Sequence, residues 1–175
     1  MSGLVHQYSM PRKTNNMSKQ NSLQRTNLAI SSDQFFLQNI KKFDVVLIDG
    51  LHTEEQVIKE VINGLNVLRK GGTIVLHDCN PSTEHMQRNI PKDDHNGPWT
   101  GTVWKAFAYF RMTRSDLAMA TVDCDYGVGL IRRGFQKLYE TNEEISYALF
   151  ERDKKNMLNL IAPGELNDWL TKNGG

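Results

Sequence analysis

The chain has little of what would set it apart from ordinary globular proteins. Its 175 residues include two cysteines, Cys79 and Cys124, too few for a disulfide framework, so a reducing, cytoplasmic setting is expected. No apolar run approaches the roughly 20 residues of a membrane span, and no signal-peptide pattern stands at the amino end. The formal net charge is +1, so there is no basic excess to hold nucleic acid or a membrane surface, and neither is an expected partner. No internal repeat or low-complexity block is present. A chain of this length is expected to form one domain with a sizeable core.

A second shortage is local. Residues 1–32 contain no Asp or Glu and one glycine, Gly3, while Arg12, Lys13, Lys19 and Arg25 stand among Ser, Asn and Gln. No helical or alternating apolar pattern persists there. Residues 1–26 are therefore expected to be disordered or loosely attached, and residues 27–175 to form an α/β domain. Residues 28–30 read as a short strand. Ser31, Ser32 or Asp33 then caps a short helix bearing Phe35, Phe36 and Ile40.

The strongest pattern runs from Phe43 to Pro81. Residues 45–48 form an apolar run of the kind that suits a strand buried on both faces, ending in Asp49-Gly50. Thr53 is placed to cap a helix, with Glu54 and Glu55 in its first turn. Val57, Val61, Leu65 and Leu68 recur at helical spacing, widened by Ile58 and Ile62. Lys70 falls in the last turn, and Gly71-Gly72 is the expected stop. A second apolar run, residues 73–76, ends in His77-Asp78. Two strands joined by a helix predict a right-handed βαβ unit. Asp49 and His52, with His77, Asp78, Cys79 and Asn80, then sit at the carboxyl ends of neighbouring parallel strands, where open α/β sheets bind ligands. Asp49 and Asp78 are close enough there to share one cation or substrate. Cys79 reads as a small buried thiol.

A polar loop with His85, Asp93, Asp94, His95, Pro98 and Trp99 follows, its histidines read as solvated. A helix is expected over 102–112, with Val103, Ala106, Phe107 and Phe110 on one face. Residues 117–122 and 127–131 are strand-like and separated by so short an Asp-rich connection that they must pair antiparallel. Asp123 and Asp125 are read as shaping that turn. A helix over 142–160 and a short terminal helix bearing Leu166, Trp169 and Leu170 complete the chain.

Four segments in order, FDVVLIDGLH, LRKGGTIVLHDCNP, GTVWKAF and DYGVGLIRRG, together with SDQFF ahead of them, resemble the later motifs of class I S-adenosylmethionine-dependent methyltransferases. The closest type is methyltransferase domain family 24, the small-molecule O-methyltransferase-like group, over roughly residues 28–135. The resemblance implies a partial Rossmann-like sheet, mostly parallel with a C-terminal antiparallel hairpin strand and helices on both faces. It implies S-adenosylmethionine as cofactor, with Asp49 and Gly50 at the cofactor, and Mg²⁺ or another divalent metal on Asp49, Asp78 and Asn80. His52 or His77 would be the base, and Trp104 would line the substrate pocket.

The sequence departs from that family at two points. The family's third metal ligand is an Asn directly after the second Asp; here that position is Cys79, and Asn80 follows one residue late. The family's Gly-rich turn and its ribose-binding acidic residue have no counterpart in residues 1–32, so the chain is expected to begin near the family's third strand. The strand at 44–48 would then have an uncovered edge. A second copy or another chain would complete the sheet, or the N-terminal segment would do so. Two main functions follow from these features: methyl transfer to a small-molecule hydroxyl, or an inactive remnant serving as an interaction module. Metal-dependent hydrolysis by the same cluster is a third.

Overall fold

The structure, a computed structural model, describes residues 7–8, 30–88 and 97–173. Asp93, Asp94 and His95 lie outside the described residues, as does segment 1–26 apart from Gln7 and Tyr8. Of the strand read at 28–30, Ile30 alone is described, and it forms a bend.

In chain order the elements are β1 (Gln7–Tyr8), α1 (Ser32–Gln38), β2 (Phe43–Ile48), α2 (Glu54–Val67), β3 (Leu68–Leu76), a 3-10 turn (Glu84–Gln87), α3 (Val103–Thr113), β4 (Leu117–Val122), β5 (Val128–Arg133), α4 (Tyr147–Met157), β6 (Leu160–Ile161) and α5 (Leu166–Lys172). The strands form one sheet in the order β1-β2-β3-β5-β4-β6. β2 and β3 are parallel, with Ile48 opposite Leu76. β5 inserts antiparallel between β3 and β4, and β4 runs parallel to β6. Four strands thus share one direction, and β1 and β5 oppose them. The fold is the expected α/β, Rossmann-like sheet with an antiparallel hairpin strand. Neighbouring residues of β5 reach helices on opposite faces: Arg132 donates to the Leu170 carbonyl of α5 at 2.8 Å, and Arg133 to the Leu65 carbonyl of α2 at 2.9 Å.

The core follows from the apolar stripes. Val57, Val61 and Leu65 of α2 and Val103, Trp104, Phe107 and Phe110 of α3 are buried with Val46, Ile48, Ile74 and Leu76 of the sheet. Each such side chain gains about 1.5–3 kcal/mol on burial. α1 starts with a capping box at Ser31 and Gln34. It is tied to α2 by Ser32, which donates at 2.5 Å to the buried Glu60. Burial pushes the Glu60 carboxyl above its ordinary value, against its hydrogen bonds from Ser32 and Gln56.

The structure corrects three sequence readings and, at the edge of β2, follows the alternative in which the N-terminal segment completes the sheet. α2 ends at Val67, not at Gly71-Gly72; those glycines lie inside β3, at an irregularity where the register jumps from Phe43 opposite Leu68 to Val45 opposite Thr73. β2 is not buried throughout on both faces: Val45 is 39% exposed while Phe43, Val46 and Ile48 are buried. Its outer edge is paired, with Gln7 opposite Val46 and Tyr8 opposite Val45. α4 begins five residues later than read, where the Ser146 hydroxyl accepts from the Leu149 amide at 3.3 Å.

Candidate active site

β2 and β3 deliver their following residues to one end of the sheet. The His77 amide donates to the Ile48 carbonyl at 3.1 Å, which holds the two strand ends together. Asp78 then takes a left-handed backbone, φ 63°, a conformation that costs a non-glycine residue on the order of 1–3 kcal/mol. It is kept there from both sides, by the His77 bond and by the Cys79 amide, which donates to the Gly127 carbonyl at 3.0 Å.

The side chains converge. His52 Nδ1 stands 3.2 Å from Asp78 Oδ2, and His52 Nε2 stands 3.4 Å from Asp49 Oδ1. His77 Nδ1 lies 3.5 Å from Asp49 Oδ1 and 3.4 Å from Asp78 Oδ2, while its Nε2 lies 3.1 Å from Asp125 Oδ2. The sequence reading brought Asp49, His52, His77 and Asp78 to this place, and the structure joins them in one cluster. Asp125 was read only as a turn residue. It arrives because β5 runs antiparallel beside β3, with Leu76 opposite Gly129, so the turn before β5 folds against residues 77–80. The Asn80 amide donates to the Tyr126 carbonyl at 2.6 Å, and the Asn80 side chain donates to Asp123 at 3.1 Å. Only glycine fits at Gly127, φ 90°, since a Cβ there would stand 2.5 Å from the Asn80 backbone nitrogen.

His52 is seated by a second loop. Its carbonyl accepts from the Thr102 amide at 2.8 Å, and a Cβ on Gly101 would meet that carbonyl oxygen at 2.1 Å. Trp99 stacks on the imidazole with ring centres 4.9 Å apart and planes 21° from parallel. Its own indole N–H donates to the Arg88 carbonyl at 2.9 Å. Thr102 also supplies the cap of α2: its hydroxyl accepts from the Glu54 amide at 2.8 Å, whereas Thr53, the expected cap, makes no such bond.

The electrostatics divide the carboxylates. The contact with His52 holds the Asp49 carboxyl below its ordinary value, against partial burial and with help from His77. Burial pushes Asp78 up, outweighing the pull of His77 and His52. Burial acts to lower His77, but the carboxylates of Asp78, Asp125 and Asp49 together raise it.

One of the expected roles is not supported by the placement. Trp104 is fully buried, packs on Phe150 with centroids 4.5 Å apart and donates to Gln87 at 2.8 Å, so it offers no surface to a substrate. Asn80 donates through its Nδ2 to Asp123, and its Oδ1 is buried without a hydrogen-bond partner. The group whose ligand atoms lie within 4.8 Å of one another is Asp49, His52 and Asp78. Cys79 is the buried thiol expected, with Sγ 3.5 Å from the Leu76 carbonyl oxygen. A cation fits the donor set. His52 Nδ1 is buried with no hydrogen-bond partner, and two carboxylates with no lysine or arginine paired to them among the described residues leave negative charge to be offset. Gly50, partly buried, follows β2 directly.

An open, mixed sheet with a polar cluster where the parallel strands β2 and β3 end is a Rossmann-like arrangement, and ligands bind at such strand ends. Residues 9–79 match the family model of a methyltransferase domain, a match that supports a class I methyltransferase-like domain. The match takes in β2, α2 and β3, with Asp49, His52, His77 and Asp78. No curated protein matches the chain. Among the described residues no helix is long and apolar enough to cross a membrane.

Proposed function

We propose that the chain acts in S-adenosylmethionine-dependent methyl transfer to a hydroxyl oxygen of a small molecule, assisted by a divalent cation at Asp49 and Asp78. The observation that carries this reading is the cluster of Asp49, His52, His77 and Asp78 at adjacent strand ends within a methyltransferase-domain match. When bound, S-adenosylmethionine supplies a methyl group on a positively charged sulfur, and Asp49-Gly50 form the part of its pocket that follows β2. Asp49 and Asp78 would hold the cation, which would supply Lewis-acid polarisation of the acceptor oxygen. His77 is the base. Asp125 engages its Nε2, which leaves Nδ1 turned to the acid pair and able to take the hydroxyl proton. The transfer forms a carbon–oxygen bond, breaks the sulfur–methyl bond and leaves the proton on the imidazole.

A second reading, a non-catalytic interaction module, draws on a different observation. Leu37 and Ile40 are 86% and 94% exposed, beside an open groove of about 460 Å³ lined by Phe36, Leu37, Lys59 and Ile62. Calorimetric titration with S-adenosylmethionine separates the two. Saturable micromolar binding supports methyl transfer, and no binding up to millimolar cofactor would sink it in favour of the module.

A further inference from the structure

We propose that the cation is held by His52 together with Asp49 and Asp78, and that it is a borderline transition-metal ion of the Zn²⁺ type rather than Mg²⁺. The inference rests on the cation part of the reading above, not on its methyl transfer.

The residue directly after Asp78 offers no oxygen ligand. Cys79, next to Asp78, points into the core. The Asn80 side chain is anchored through its Nδ2 to Asp123, which leaves its Oδ1 without a hydrogen bond. The place beside the two carboxylates is taken by an imidazole instead, and one ligand atom from each of Asp49, His52 and Asp78 lies within 4.8 Å of the others. His52 Nδ1 is buried with no hydrogen-bond partner, and Asp78, whose side chain is 8% exposed, sets its Oδ2 3.2 Å from that nitrogen.

The chemistry of the donors selects the ion. Mg²⁺ prefers oxygen ligands and gives up water reluctantly, while imidazole suits Zn²⁺, Co²⁺ and related ions. The ring is also preset. The Trp99 stack and the Thr102 amide hold His52 before any ion arrives, as the residues around metal ligands commonly do.

The test uses the full chain stripped with a chelator. Co²⁺ is titrated and followed by visible absorption, then displaced by Zn²⁺; Zn²⁺ and Mg²⁺ are titrated separately by calorimetry. The expected result is the strong absorption of low-coordinate Co²⁺, Zn²⁺ binding at least 100-fold tighter than Mg²⁺, and a 100-fold or greater loss of Zn²⁺ affinity in His52→Asn. Trp99→Ala, which leaves all three ligands in place, should weaken Zn²⁺ by about 10–100-fold. Unchanged Zn²⁺ affinity in His52→Asn, or Mg²⁺ bound as tightly as Zn²⁺, overturns the proposal. Circular dichroism checks that each variant is folded, and His52→Gln replaces His52→Asn if that variant is not. S-adenosylmethionine binding is measured on the metal-free chain in parallel. Its absence beside intact Zn²⁺ binding removes the methyltransferase reading and leaves the metal site standing.

Discussion

Asp78 offers a direct measure of how much stability the site gives up. Its φ of 63° brings Cβ close to its own backbone, which costs an L-residue roughly 1–2 kcal/mol and glycine almost nothing. Asp78→Ala and Asp78→Gly both delete the carboxylate, so they lose the same contacts with His52 and His77. They differ by one Cβ. Glycine removes the left-handed strain but is freer in the unfolded chain by about 0.5–1 kcal/mol. The difference leaves Asp78→Gly more stable than Asp78→Ala by about 0.5–1 kcal/mol. For a chain of this size that is a melting temperature higher by roughly 1–4 °C. Urea denaturation of both variants in chelator, with the slope held common, measures it. Equal midpoints, or Asp78→Ala the more stable, would show that the backbone at residue 78 is not held left-handed. The account of how Asp78 is aimed would then fail.

Three further outcomes follow from the same structure. His77 has its pKa raised above the usual 6.5, so its contribution is fully present below about pH 6.5 and is lost as pH rises through the raised value; metal-free protein should be less stable in urea at pH 8 than at pH 6, and His77→Gln should flatten that dependence. Cys79 is buried and Cys124 exposed, so a thiol reagent should label one cysteine in the native chain and two in urea, and two fast labels in the native state would contradict the placement of Cys79. Phe150 is fully exposed to its neighbours and not at all to solvent, so Phe150→Ala should cost about 3–5 kcal/mol in chemical denaturation, and a loss under 1 kcal/mol would mean that α4 is not docked.

Much of the fold was legible because the decisive patterns are local. The apolar runs before Asp49 and His77, with the helical stripe between them, specify strand, helix and strand within some forty residues. The short Asp-rich connection forced the β4–β5 pair. What the pattern missed depends on distant partners. At 68–72 the strand competes with a helical stripe that continues through Leu68, and pairing of Leu68 with Phe43 decides it. β6 has two residues and exists through β4. In the site, the four residues next to the strand ends could be placed from topology alone. Asp125 and Trp99 could not. Asp125 meets His77 across 48 positions, and the one signal for it was the implied reversed strand beside β3. Trp104 was misplaced because an aromatic on an amphipathic helix reads the same whether it faces core or pocket.

The backbone outliers give an independent reason to look at this end of the sheet. Among the described residues four non-glycines have positive φ: Asp78, Asp125, Tyr126 and Asn159. Asn159 has an ordinary cause. It follows the end of α4, where the chain commonly turns left-handed, and its side chain donates to the Met119 carbonyl at 2.8 Å. Asp125 and Tyr126 are the central pair of the β4–β5 turn, closed by the Gly127 amide donating to the Cys124 carbonyl at 2.7 Å, a turn that takes two positive-φ residues. Asn-Gly would serve that turn with less strain, but it would lack the carboxylate that meets His77. Asp78 has neither a helix end nor a hairpin to account for it. Local rules are therefore broken at two adjoining places, and what each gains is a carboxylate beside the same imidazole. Sequences that are otherwise locally consistent break such rules where function requires it. The strain at Asp78 and at the Asp125 turn thus supports the same cluster as the orphaned His52 nitrogen, and does so without reference to any family.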